Sequence, residues 1–104
     1  MKVKPATVDD ETCLLELMWE SHVEESADSP EEWATTKTAI RKLLRDHQAG
    51  EAFILYNDAG EPVGYMILCR GFSLDYGGYF TWLEESYIRH AEHARFRDKR
   101  YSPE

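Results

Sequence analysis

The residues best suited to chemistry lie in the last quarter of the sequence. Glu84 and Glu85 stand side by side inside an aromatic and β-branched run, Tyr79–Ile88. A carboxylate beside a bound ammonium ion can hold it and, through a water molecule, take a proton from it. Adjacent strand residues point to opposite faces, so only one of the pair can face a given pocket unless a bulge intervenes. The plainer role for both charges is to blunt an exposed strand edge. The segment that follows, from Arg89 to Arg100, is basic and carries His90-x-x-His93, Arg95 and Arg97. Two imidazoles without a third placed ligand do not make a metal site, and none is expected. Arg95 and Arg97 can attract an anion through their side chains.

Other reactive types are scattered. Cys13 has no identifiable base and is not expected to act as a nucleophile. Cys13 and Cys69 lie in apolar segments without metal or redox spacing, which points to reduced, buried thiols. His22 and His47 fall on apolar helix faces, where histidines are satisfied core or boundary residues. Glu20, Glu24 and Glu25 form an acidic helical face suited to a cationic partner. Trp33, beside Pro30, is a candidate anchor for such a partner, whereas Trp19 reads as core.

These residues need elements to place them. Lys2–Thr7 reads as a short strand, with Pro5 tolerable at an edge or strand end. Thr7-x-x-Asp10 has the form of a capping box and opens a helix running to about Glu25. Its inner face is expected to carry Leu14, Leu15, Met18 and His22. Ala27–Glu32 breaks the pattern with Ser-Pro. A second helix runs from Glu31 or Thr35 to His47, with Ile40, Leu43, Leu44 and His47 as its stripe, and Gly50 stops it. Strands follow at 51–57 and 62–70, joined by the turn signal Asn57-Asp-Ala-Gly60. A turn-rich connection, 71–78, leads to a last strand at 79–88. The order β-α-α-β-β-β predicts an α+β fold with an antiparallel meander and two helices. Residues 1–97 make one domain, and 98–104 a tail.

Composition sets outer limits. The 104 residues carry a net charge of −8, are 42% hydrophobic and 12% aromatic, and suit one folded domain. Acidic residues crowd positions 1–34, against Lys2 and Lys4 alone. That balance disfavours direct contact with nucleic acid and favours amines or basic protein surfaces. No apolar run approaches the roughly 18 residues of a membrane span. The opening residues lack the apolar core of a secretory leader, so a cytoplasmic location is expected.

The run from Pro62 to Arg97 resembles the middle of a GNAT-superfamily N-acetyltransferase, and within it the diamine and polyamine acetyltransferase branch. The residues that carry the likeness are the extended connection Gly71-Phe-Ser-Leu-Asp-Tyr-Gly-Gly78 and the strand Trp82-Leu-Glu-Glu-Ser-Tyr-Ile88. The resemblance implies that Glu84 and Glu85 help to hold an amine substrate. Where that family has a glycine-bearing pyrophosphate loop, this sequence has His90-Ala-Glu-His-Ala-Arg-Phe-Arg-Asp98, without a glycine. Ala94, Phe96 and Asp98 stand where small residues allow close backbone approach to phosphate. The resemblance covers only the family's first half, so it implies a truncated GNAT-like domain.

The expected function is therefore non-catalytic. The chain reads as an acidic regulatory or inhibitory module that binds a basic protein through Glu20, Glu24, Glu25 and Trp33, with no cofactor. The alternative is an acetyl-CoA-dependent amine N-acetyltransferase completed by oligomerisation. In that reading Glu84 and Glu85 hold the amine, and Arg95 and Arg97 the cofactor phosphates. A fragment without selected function is the third reading. A homodimer is expected through the strand edge that carries Tyr79, Phe80, Trp82 and Leu83.

Overall fold

The computed structural model describes residues 1–25 and 29–89, with only the backbone of Glu25. Strand β1 (Lys2–Pro5) opens the chain, and a 3₁₀ turn (Val8–Asp10) leads into α1 (Glu11–Glu25). Thr7 caps that turn as its spacing predicts: Thr7 N–H donates to Asp10 Oδ2 at 2.8 Å, and Asp9 N–H to Thr7 Oγ1 at 3.2 Å. Helix α2 spans Pro30–Leu44, followed by β2 (Gly50–Tyr56), β3 (Pro62–Ser73) and β4 (Gly78–Ile88). The strands form one antiparallel sheet in the order β1-β2-β3-β4. The expected α+β meander with two helices is the observed fold, and β1 and β4 end the described sheet.

Several boundaries differ from the sequence expectation, each for a local reason. Ser29 and Pro30 start α2 rather than interrupting the chain, because Ser29 caps the helix and Glu32 completes a second capping box. Proline suits this position because the first turn of a helix has no use for its missing N–H. Helix α2 ends at Leu44, so His47 lies beyond it and is exposed instead of on an apolar stripe. Strand β1 stops at Pro5, since Thr7 turns inward as a cap. The connection expected at 71–78 shrinks to a turn of residues 74–77, because β3 and β4 extend into it as a long hairpin closed at Gly77 (φ 72°). Gly50 opens β2 and does more than stop a helix. A Cβ there would sit 2.1 Å from the Leu68 carbonyl oxygen, and its φ of 151° excludes most side chains.

Both helices pack on one face of the sheet. Alternate strand residues Ala52, Ile54, Tyr65 and Ile67 meet Leu14, Leu17 and Met18 of α1 and Ile40, Leu43 and Leu44 of α2. The strand set follows the period of two that one buried sheet face imposes. On α1 the buried set is Leu14, Leu17, Met18 and Ser21, while Leu15 is only partly buried. The cysteines are free thiols, half-buried rather than buried. Burial raises the pKa of both, and Glu84 adds to the effect at Cys69. Among the described residues no helix is long and apolar enough to cross a membrane. The segment 26–28, the loop at 90–98 and the tail at 98–104 lie outside the described residues.

Candidate functional site

Strand β4 does not run in simple register against β3. Ile67 pairs with Glu85 and Leu68 with Leu83, which leaves Glu84 as an extra residue, a β-bulge. The bulge removes the obstacle that strict alternation sets. Glu84 and Glu85 both line one cleft of about 460 Å³ between α2 and the β3–β4 hairpin. Its apolar wall comes from Met18, Ile40, Leu43, Ile67 and Cys69, and Lys42 and Asp46 also border it. Two adjacent carboxylates over an apolar wall suit the ammonium head and carbon chain of an amine.

The two carboxylates are held differently. Glu84 Oε1 accepts a solvent-exposed hydrogen bond from Trp82 Nε1 at 2.7 Å. Glu85 is drawn toward the helix layer: the Tyr65 hydroxyl donates to its Oε2 in a short hydrogen bond, and His22 Nε2 lies 2.9 Å from the same oxygen. Tyr65 is fully buried, and the His22 side chain is 15% exposed. The edge of His22 meets Trp33, with ring centroids 5.6 Å apart at 75°. A core position on α1, a core position on β3 and a carboxylate on the bulge thus converge.

His22 and Tyr65 were missed as site residues, although His22 carried a signal. It follows Leu14 and Met18 at spacings of four, which places a titratable ring at the inner end of an apolar stripe. Tyr65 had none, because an aromatic residue alternating with Val63 and Ile67 reads as core.

The acidic face expected on α1 is partly engaged within the chain. Glu20 forms a two-point ion pair with Arg89, from Nε to Oε1 at 2.8 Å and from NH2 to Oε2 at 2.7 Å. This pairing lowers the Glu20 pKa and raises that of Arg89. Glu24 accepts from the Tyr87 hydroxyl at 2.9 Å, and burial, then Glu24, pushes that hydroxyl well above its ordinary pKa. The Glu25 side chain lies outside the described residues. Trp33 packs against the half-exposed Trp19, with centroids 5.1 Å apart, beside a shallow groove that Glu16 and Glu20 also line. Trp19 is thus less buried than expected. Of the edge residues, Tyr79 is 80% exposed, Leu83 54%, Trp82 40% and Phe80 36%. Arg95 and Arg97 lie outside the described residues, and among the described ones no cluster of His, Cys, Asp and Glu suits a metal ion.

No family model matches this sequence, and no curated protein matches it. Solved structures do match. An integron cassette protein from the mobile metagenome of Cole Harbour Salt Marsh superposes with a TM-score of 0.76 at 28% identity, over 86% of this chain and 57% of its own. A possible acetyltransferase from Clostridium difficile 630 matches with a TM-score of 0.71 at 18% identity, over 97% of this chain and 64% of its own. The aminoglycoside 6'-N-acetyltransferase AAC(6')-IG from Acinetobacter haemolyticus matches with a TM-score of 0.63 at 20% identity, over 98% and 74%. The chain therefore spans about three fifths of the length of the first two structures. The shared part is the two helices and the antiparallel sheet, and the fold is part of the GNAT acetyltransferase fold.

Acetyl-CoA, which that fold implies, needs backbone N–H groups or cations free to meet its phosphates. Arg89, which adjoins the segment where that family has its phosphate loop, is engaged with Glu20 through Nε and Nη2 and with the Pro62 carbonyl through Nη1. The segment itself, 90–98, lies outside the described residues.

Proposed function

We infer that this chain, whose fold is part of the GNAT acetyltransferase fold, recognises a primary amine as its ammonium ion in the cleft beside Glu84 and Glu85. The bulge carries the reading, because it brings two adjacent carboxylates to one apolar-walled cleft. The ammonium group meets paired negative charge, and the carbon chain lies against Met18, Ile40 and Ile67. Acetyl transfer enters this reading only where a second chain supplies the cofactor site. Calorimetric titration with butylamine and, separately, with acetyl-CoA tests it. Butylamine is expected to bind with a Kd of roughly 1 mM, about −4 kcal/mol, and acetyl-CoA more weakly. The double variant Glu84→Gln/Glu85→Gln should bind butylamine at least tenfold more weakly, by about 1.4 kcal/mol. Unchanged butylamine affinity in that variant removes the reading.

A second reading, the acidic module that binds a basic protein, has its own support in the groove under Trp19 and Trp33. Its charge comes from Glu16 more than from Glu20 and Glu24, which are engaged with Arg89 and Tyr87. Association with a basic partner should slow steeply between 0.1 M and 1 M salt, as the screening length falls from about 10 Å to about 3 Å. Glu16→Lys should slow it further. A captured partner whose association rate ignores both salt and that substitution would rule the module out.

A further inference from the structure

We propose that His22 is a positioning residue for Glu85, and that protonation of His22 and cation binding at Glu85 oppose each other. The ligand half of this inference rests on the amine reading; the hydrogen-bonded arrangement does not. Tyr65 O–H and His22 Nε2 both reach Glu85 Oε2, and among the described residues no hydrogen bond uses Oε1. Two donors on one oxygen fix the carboxylate's orientation and leave the other oxygen to the cleft. Tyr65 is fully buried, so its hydroxyl would lose its acceptor if Glu85 swung away. Trp33 packs edge-to-face against the His22 ring, with centroids 5.6 Å apart.

Charge decides what this arrangement does. A neutral His22 that donates from Nε2 leaves the full negative charge of Glu85 for a cation in the cleft. A protonated His22 makes the same bond but sets a positive charge 2.9 Å from that carboxylate, where it competes with the ligand. Glu84 is bonded to Trp82, not to His22, so the pair divides into one proton-linked carboxylate and one independent one. Among the described residues, the titratable and charged groups around the cluster include Glu84, Glu85 and Tyr87 on β4 and Tyr65 on β3. Along α1 are the Glu20–Arg89 and Glu24–Tyr87 pairs, while α2 and its end bring the neutral Trp33 against His22 and set Lys42 and Asp46 at the border of the cleft that Glu85 lines. Linkage is reciprocal: a cation must weaken proton binding at His22 by the factor by which the proton weakens cation binding.

The test follows the His22 imidazole by NMR, its resonance assigned by its loss in His22→Gln. In Glu85→Gln the His22 titration midpoint should fall by about one pH unit, a tenfold loss of proton affinity. Glu84→Gln should shift it far less, and saturating butylamine should lower the wild-type midpoint. His22→Ala should weaken butylamine binding at pH 8. His22→Gln, whose amide can donate in place of Nε2–H, should recover part of the affinity and lose the weakening between pH 8 and pH 5.5. A midpoint that ignores Glu85→Gln, or responds equally to Glu84→Gln, overturns the positioning role. Persistent pH dependence of butylamine binding in His22→Gln overturns the antagonism. If butylamine fails to bind at pH 8, the amine reading and the antagonism fall together, while the Glu85→Gln midpoint alone decides the positioning role.

Discussion

Replacing Leu14 by alanine is expected to lower the melting temperature by roughly 10–20 °C, from a loss of about 2–4 kcal/mol. Leu14 is fully buried where α1 crosses the sheet, packed in one cluster with Ile54, Tyr65 and Ile67. Truncation removes the burial energy of the lost methyl groups and leaves a cavity that a sheet on one side and a helix on the other cannot close. A domain of 104 residues has about 5–15 kcal/mol of stability in total, so the loss is a large fraction. Leu15 is the internal comparison. The helical stripe read from sequence gave it equal standing, but it is only partly buried. Leu15→Ala should cost less than half as much. Thermal unfolding followed by far-ultraviolet circular dichroism measures both, and equal shifts would mean that α1 docks in a different rotation.

That rotation matters to the site, because Leu14 and Met18 bring His22 inward two turns later. The helix face was legible in outline: apolar residues spaced three and four apart fixed which side of α1 met the sheet. What spacing alone does not separate is Leu15 from Leu17, which flank the Leu14–Met18 line about equally on opposite sides of the helix, and only the packed sheet chooses between them. The strands were equally legible, since β2 and β3 alternate or run apolar between clear turn residues. The length of the β3–β4 hairpin was not. Gly71, Gly77 and Gly78 read as a loop, but Gly71 lies within β3 beneath the Trp82 and Phe80 rings, where a Cβ would fall 2.9 Å from the indole. A glycine demanded by cross-strand aromatic packing looks like a turn glycine in sequence. The acidic pair was legible as chemistry, yet its shared cleft depends on a bulge that no local residue signals. The His22–Glu85–Tyr65 contact joins residues separated by 63 and 20 positions, which no spacing rule reaches.

The second large effect concerns β4. In solution the chain should scatter light as a particle of twice its 12.1 kDa at micromolar concentration, and Leu83→Lys should return it to a single chain. Among the described residues β4 pairs only with β3, so its outer side presents a row of backbone N–H and C=O groups. Both faces near that edge are apolar. Phe80 and Trp82 stack at 5.3 Å on the helix side, and Tyr79 meets Phe72 at 5.3 Å on the other. Leu83 stands opposite Leu68 and is 54% exposed. Across a two-fold axis a single substitution enters the interface twice, so two lysines would face one another there. Leu83 is a better probe than Trp82, whose indole also holds Glu84 and would disturb the cleft if lost. A dimer indifferent to Leu83→Lys would place the contact on the helices, and a 12.1 kDa particle in the wild type would remove the dimer altogether.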